Sequence, residues 1–259
     1  MMNYISSRNT ATENTTPMIP NYDAEKVRDL RKYKYTGVFK GEKLEYKILG
    51  AYSTEKFLRN GRREDLVLEL LITGKGYVKQ TMQGVLIQDD GSEVMSDLAV
   101  LTNKFCGLMI NDNPQAFEPT QIKAKRFDSS IPEIQNWYPN IIGKTGNVVL
   151  GTYKDWEFKG RTGFLHKAYF FSSNWLCITE IEKAITTPAI VNETVANAQK
   201  QYELFRNKCI SSGYDPNEIE CNVIENSREQ VRQESQNLYG QQNNNNPYGQ
   251  QTPKDGIPF

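Results

Sequence analysis

The chain is poor in the residues that most often carry out chemistry. Among its 259 residues there is one histidine, His166, set between Leu165 and Lys167 in a strand-like run. A Ser-His-Asp site built on it would need partners that the sequence does not point to. Four cysteines, Cys106, Cys177, Cys209 and Cys221, stand singly. None forms the close pair that a structural zinc site uses, so they are expected to be reduced thiols. Gly143-Lys144-Thr145 ends like a phosphate loop, but the earlier glycine of that motif would fall at Tyr138, and the nucleotide-binding signature fails. Carboxylates are plentiful, yet no Asp/Glu cluster has the spacing of a two-metal nuclease. With no catalytic constellation in view, the expectation is a non-enzymatic protein that needs no metal or cofactor.

Long apolar runs are also missing. No stretch approaches the length of a membrane span, and Met1 to Pro20 is polar, without the apolar centre of a signal peptide, so a cytoplasmic location is expected. Net charge is absent as well, with 31 basic and 31 acidic residues, but the balance is uneven along the chain. Residues 213–259 hold Arg228, Arg232 and Lys254 against Asp215, Glu218, Glu220, Glu225, Glu229, Glu234 and Asp255, a net of minus four. Residues 21–212 carry 27 basic and 23 acidic groups, or plus four. A mildly basic body with an acidic tail suits an anion-binding domain whose tail competes weakly for the same surface.

The periodicity of the body is mainly that of strands. Leu44 to Tyr52, Asp65 to Thr73 and Tyr77 to Gln88 alternate or run apolar at strand length, punctuated by Gly74-Lys75-Gly76 and Asp89-Asp90-Gly91. Strand character returns at Asn147 to Phe158 and at Gly163 to Phe171. Asp23 is placed to cap a short helix from Ala24 to Lys34, and Ser96 a helix from Asp97 to Ile110. A last helix, Val191 to Cys209, bears an apolar stripe of Val195, Ala198, Tyr202 and Phe205, which should pack on the body. Asn111 to Gly146, interrupted by Pro114, Pro119, Pro132 and Pro139, reads as a long irregular loop of functional interest. Three strands, a helix and two strands form the element order of an OB-fold, a five-stranded barrel that binds oligonucleotides. The expected fold is therefore mainly β with α additions: an elaborated OB-fold barrel with a helix between strands three and four and a further C-terminal helix. The expected organisation is a disordered arm at 1–20, this domain at 21–212, an acidic segment of weak helical character at 213–234, and a tail at 235–259.

That tail carries the most specific signal. Ser235 to Gln250 has no charge and almost no aliphatic side chain, so it cannot bury enough surface to offset its ordering entropy. It ends in Lys254-Asp255-Gly256-Ile257-Pro258-Phe259, where an exposed ring calls for a partner's pocket and the terminal carboxylate for a cation. The tail resembles that of bacterial and bacteriophage single-stranded-DNA-binding proteins, in which a Gln/Asn/Gly/Pro-rich linker is followed by an acidic run and Ile-Pro-Phe. The match lies in the linker and in Asp255, Ile257, Pro258 and Phe259. The acidic run departs from the pattern, with Lys254 and Gly256 at positions where carboxylates are usual. The resemblance covers about 25 residues of tail, so it speaks to role more than to the body's fold. It implies a protein of phage or mobile-element origin that coats single-stranded DNA in replication, recombination or repair and recruits partner proteins through Asp255, Ile257, Pro258 and Phe259.

Aromatic residues interleaved with basic ones fit the same role, because sequence-tolerant binding of single strands uses flat rings for base stacking and cations along the phosphate path. Such groups occur around Tyr33 to Lys40, Lys56 to Arg63, Lys75 to Lys79, Lys123 to Phe127, Trp137 to Lys144 and Tyr153 to Arg161. Exposure is expected where rings adjoin glycine and lysine at strand ends. The favoured DNA-binding residues are accordingly Arg59, Arg62, Arg63, Tyr77, Lys79, Lys125, Arg126, Trp156, Lys159 and Arg161. Two other readings stay open: a phage transcription regulator or assembly adaptor using the barrel for protein contact, and an enzyme such as a nuclease with an unrecognised site.

Overall fold

The computed structural model describes residues 19–125, 132–158 and 161–218. Its centre is a long hairpin of β1 (Lys40–Leu58) and β2 (Gly61–Ile72), in register from Tyr46 opposite Ile72 to Leu58 opposite Gly61. A register shift between Ile48 and Gly50 inserts Leu49 as a bulge, which lets β1 bury residues on both of its faces there.

Each strand of this ribbon is long enough to take two further neighbours along its outer edge. On the β2 side, β3 (Gly76–Met82) pairs with the C-terminal half and β4 (Leu86–Gln88) with the start, and β5 (Glu93–Val94) adds to β4. On the β1 side, β8 (Thr145–Phe158) pairs with residues 40–47, while β7 (Pro132–Trp137) meets Tyr52 through Trp137. The outer strands are β6 (Thr120–Lys125) beside β7 and β9 (Arg161–Phe171) beside β8. Among the described residues every pair of these strands is antiparallel and they form one sheet of nine strands.

Four α-helices among the described residues cover this sheet: α1 (Ala24–Arg31), α2 (Asp97–Asp112), α3 (Ile178–Glu182) and α4 (Ile190–Ser211). The Asp23 and Ser96 caps expected from the sequence are made, with the side chains accepting from the backbone N–H of Lys26 and Ala99. Helix α2 sets Phe105, Leu108 and Met109 into a core with Tyr46, Ile48, Leu68, Leu70, Val148 and Phe170. Replacing a fully buried ring such as Phe105 by alanine would cost about 3–5 kcal/mol. On other faces of the sheet, α4 packs Val191 and Ala198 against Val149 and Phe171, and α1 packs Val27 and Leu30 against Leu49, Leu71 and Tyr77. No helix among the described residues is long and apolar enough to cross a membrane.

The mainly β expectation holds, with three differences of detail. The run from Tyr77 to Gln88 is broken, because the chain leaves β2 after Met82 and rejoins it at Leu86. Gly84 sits in this break so close to β2 that a Cβ there would lie 1.9 Å from the Glu64 carbonyl oxygen. The stretch from Asn111 to Gly146 is not a plain loop but holds the β6/β7 hairpin and a 3-10 turn at Pro139–Ile141. Two of its four prolines, Pro132 and Pro139, occupy tolerated places, at the first residue of β7 and the first of the 3-10 turn. Finally, α3 was not foreseen. It is short, and buried Glu180 both caps it through the Cys177 N–H and accepts from Ala189 and Ile190 at the start of α4. The arm to residue 18, the chain beyond Glu218 and the tip residues Asp255, Ile257, Pro258 and Phe259 lie outside the described residues.

Candidate nucleic-acid interface

In one half of the sheet the strands run β3-β2-β1-β8-β9, which leaves β3 and β9 at the two ends. No strand pairing joins these ends among the described residues. One side-chain bond crosses between them, from Gln80 Nε2 to the His166 carbonyl at 3.0 Å. Between them lies a groove of about 410 Å³, with Leu98 and Leu101 of α2 in its lining. Its charged side chains are Lys34, Lys56, Arg63, Lys79 and Lys167, five cations against the single carboxylate of Asp65.

That carboxylate explains how two of the cations are held. Lys56 and Arg63 are cross-strand neighbours in the β1/β2 ribbon, and Asp65 lies on the same face of β2 as Arg63. Fully buried, Asp65 accepts from Arg63 Nε at 2.6 Å and Nη2 at 3.2 Å, from Lys56 Nζ at 2.7 Å and from the Gly84 N–H at 3.2 Å. Arg63 Nη1 also donates to Gln83 Oε1 at 3.1 Å. A buried carboxylate with this many donors is well satisfied, and one positive charge is left over at the groove wall. Partial desolvation, and secondarily the charge of Lys79, pushes the Lys34 ammonium below its usual pKa, while the residue as a whole stays exposed.

The opposite wall carries the rings. Trp156 faces Gly163 across the β8/β9 hairpin, and a Cβ at Gly163 would lie 2.7 Å from the indole atoms, so the ring lies flat on a residue without a side chain. It remains 40% exposed. Tyr153 sits at the bulge in β8, half-buried, with Lys167 Nζ 5.4 Å from its ring centroid. Beside them, His166 Nδ1 lies 2.9 Å from Thr152 Oγ1, which accepts the Phe39 N–H. Burial, with help from the charge of Lys34, pushes the imidazole down to about 4, so it is neutral at pH 7.

Of the residues favoured from the sequence, Arg63, Lys79 and Trp156 line this groove. Arg59 and Arg62 are exposed near the turn of the β1/β2 hairpin, with Arg62 3.7 Å from Glu55. Tyr77 is a correction, because its ring is 2% exposed, packed in the α1 cluster, and its hydroxyl donates to buried Glu69 at 2.8 Å. Arg31 and Tyr22 donate to the same carboxylate, so Tyr77 belongs to a buried polar network and offers no face to a base. Lys125 ends β6, on the branch of the sheet beyond β7. Arg161 opens β9 opposite Phe158. Arg126 and Lys159 lie outside the described residues.

No family model, curated protein or solved structure matches this chain. The site therefore rests on its own geometry. Lys34, Lys56, Tyr153 and Lys167 also line the groove without having been favoured from the sequence. For Lys56 a signal existed: counting back from a turn at Arg59-Asn60 pairs residue 56 with 63 and sets two cations side by side. No group of three or more His, Cys, Asp or Glu side chains is placed to hold a metal ion among the described residues.

Proposed function

We propose that this protein binds single-stranded DNA in the groove between β3 and β9 and recruits replication or recombination proteins through its C-terminal tip. The observation that carries the reading is the pairing of five groove cations with an exposed indole that lies on Gly163. Cations at Lys56, Arg63, Lys79 and Lys167 neutralise phosphates, and Trp156 takes a base on its open face; neither contact reads base edges, so binding is sequence-tolerant.

The strand order supports the same reading. With α2 lying between β3 and β8 in the chain, the order β3-β2-β1-β8-β9 agrees with that of an OB-fold, and the bond from Gln80 to the His166 carbonyl supports reading β3 and β9 as the two ends that such a barrel brings together. In that fold, oligonucleotides lie between the loop joining strands one and two and the loop joining strands four and five. Here the first is the turn at Arg59-Asn60 and the second is the connection from β8 to β9, and the groove residues Lys56, Arg63 and Trp156 come from the strands leading into them. The remaining strands, α1 and α4 are additions to that plan. Working in the host cytoplasm, the body holds DNA while Ile257, Pro258 and Phe259 present an apolar hook with the Asp255 carboxylate beside it.

The test is a gel-shift comparison of oligo-dT, duplex DNA and RNA across a salt series. Oligo-dT is bound best, and log affinity falls linearly with log salt at about 0.7 per phosphate neutralised, up to roughly 2.8 for the positive charge that remains in the groove after Asp65. Equal affinity for duplex, or binding insensitive to salt, would exclude the mechanism.

A further inference from the structure

A second depression, of about 330 Å³, lies where α4 crosses the β8/β9 hairpin. It shares two lining residues with the groove, Tyr153 and Lys167, so the two recesses meet at the point where Lys167 Nζ stands over the Tyr153 ring. Beyond that point its lining includes Lys154 on β8 and, on α4, Leu204 and Lys208. Leu204 and Lys208 are one turn apart on the same face of the helix, with Gln201 one turn before them. Leu204 is 64% exposed, an unusual cost for a large aliphatic side chain between polar neighbours.

The electrostatics of this depression favour an anion. Lys154, Lys167 and Lys208 form no ion pair among the described residues. The one carboxylate in the lining, Asp155, already accepts the Tyr214 hydroxyl. Three cations against one engaged carboxylate, with an exposed apolar side chain among them, repeat at lower density the composition of the groove itself.

We infer that the DNA strand does not end in the groove but passes Lys167 and continues along this depression, with phosphates on Lys154 and Lys208 and a sugar or base on Leu204. The inference rests on the proposed groove reading and extends it: α4 is a binding element as well as a packing element, and the site is longer than the groove alone would hold. Continuity through Tyr153 and Lys167, and the sign of the charge, are what select single-stranded DNA as the occupant.

The full-length protein and its Lys154→Ala/Lys208→Ala variant, both measured against oligo-dT of about 5 and about 16 nucleotides, test this directly. Both lysines are exposed, so the melting temperature of the variant stays that of the parent. For the longer strand the variant loses on the order of 10-fold in affinity near 0.1 M salt, and its salt slope becomes shallower by about 1.4, the contribution of two phosphates. For the shorter strand, which the groove accommodates by itself, affinity and slope are unchanged. An unchanged affinity for the longer strand, or an equal loss at both lengths, would overturn the extension while leaving the groove in place. If the parent protein bound neither length in a salt-dependent way, both readings would fall together.

Discussion

Replacing Trp156 by alanine separates stacking from charge in the proposed groove. A tryptophan presents up to about 250 Å² of side-chain surface. With 40% of it exposed, roughly 100 Å² is free to be covered by a base, worth about 2.5 kcal/mol at 25 cal/mol per Å². That lies within the range of about 1–3 kcal/mol for base–aromatic stacking, and a loss of about 2 kcal/mol is close to a 30-fold rise in Kd. Because the ring is uncharged, the loss appears as a constant offset: the slope of log affinity against log salt stays that of the parent. Trp156→Phe keeps a flat ring over Gly163 and should recover more than half of the loss. The buried part of the indole covers the backbone of Gly163 and belongs to none of the buried core clusters among the described residues, so the global melting temperature falls by only a few degrees. The assay is fluorescence anisotropy of labelled oligo-dT at four or more salt concentrations, with a thermal melt of each variant. Parental affinity in Trp156→Ala, or a loss that comes with a shallower salt slope, would refute the stacking assignment.

Tyr77→Phe removes one donor from buried Glu69, so unfolding in urea should show a loss of about 1.5–3 kcal/mol while oligo-dT affinity stays at the parental value. His166 has a folded-state pKa of about 4 against 6.5 in an unfolded chain, so its neutral form is favoured by folding: its contribution is fully present above pH 6.5 and is lost as pH falls from there towards 4. That contribution is about 3 kcal/mol at most, and His166→Asn, which cannot titrate, should show a smaller drop in stability between pH 7 and pH 4.5 than the parent does. Phe259→Ala should abolish capture of purified replication proteins and leave DNA affinity intact, since an apolar pocket would have lost the ring it grips; equal capture by parent and variant would rule out the tip as the hook.

Local patterning made much of the framework legible. The apolar alternation of β1, β2, β8 and β9, the caps at Asp23 and Ser96, and the stripe of α4 all follow from residues close in the chain, because strand and helix periods and capping are local properties. The β6/β7 hairpin and the break that separates β4 from β3 were not legible. Six-residue strands among prolines carry too few periods to stand out, and where β3 gives way to β4 is set by the pairing of each with β2.

The site divides the same way. The proposed role of the tail tip rests on sequence alone, because it is read from adjacent residues, and sequence also determined which segments mix rings with cations. Only the tertiary structure decided which rings and cations are available. Tyr77 and Trp156 both lie in strands near lysine and glycine, yet Tyr77 is buried because α1 covers it and brings Arg31 to Glu69, while Trp156 is open because the residue opposite it is Gly163. Likewise Lys56 and Arg63 become a fixed pair only through Asp65 and the hairpin register, and Lys167 joins them only where the ends of the sheet approach each other. Exposure and charge balance are sums over neighbours that are distant in the chain, so they arise only when the sheet brings those neighbours together.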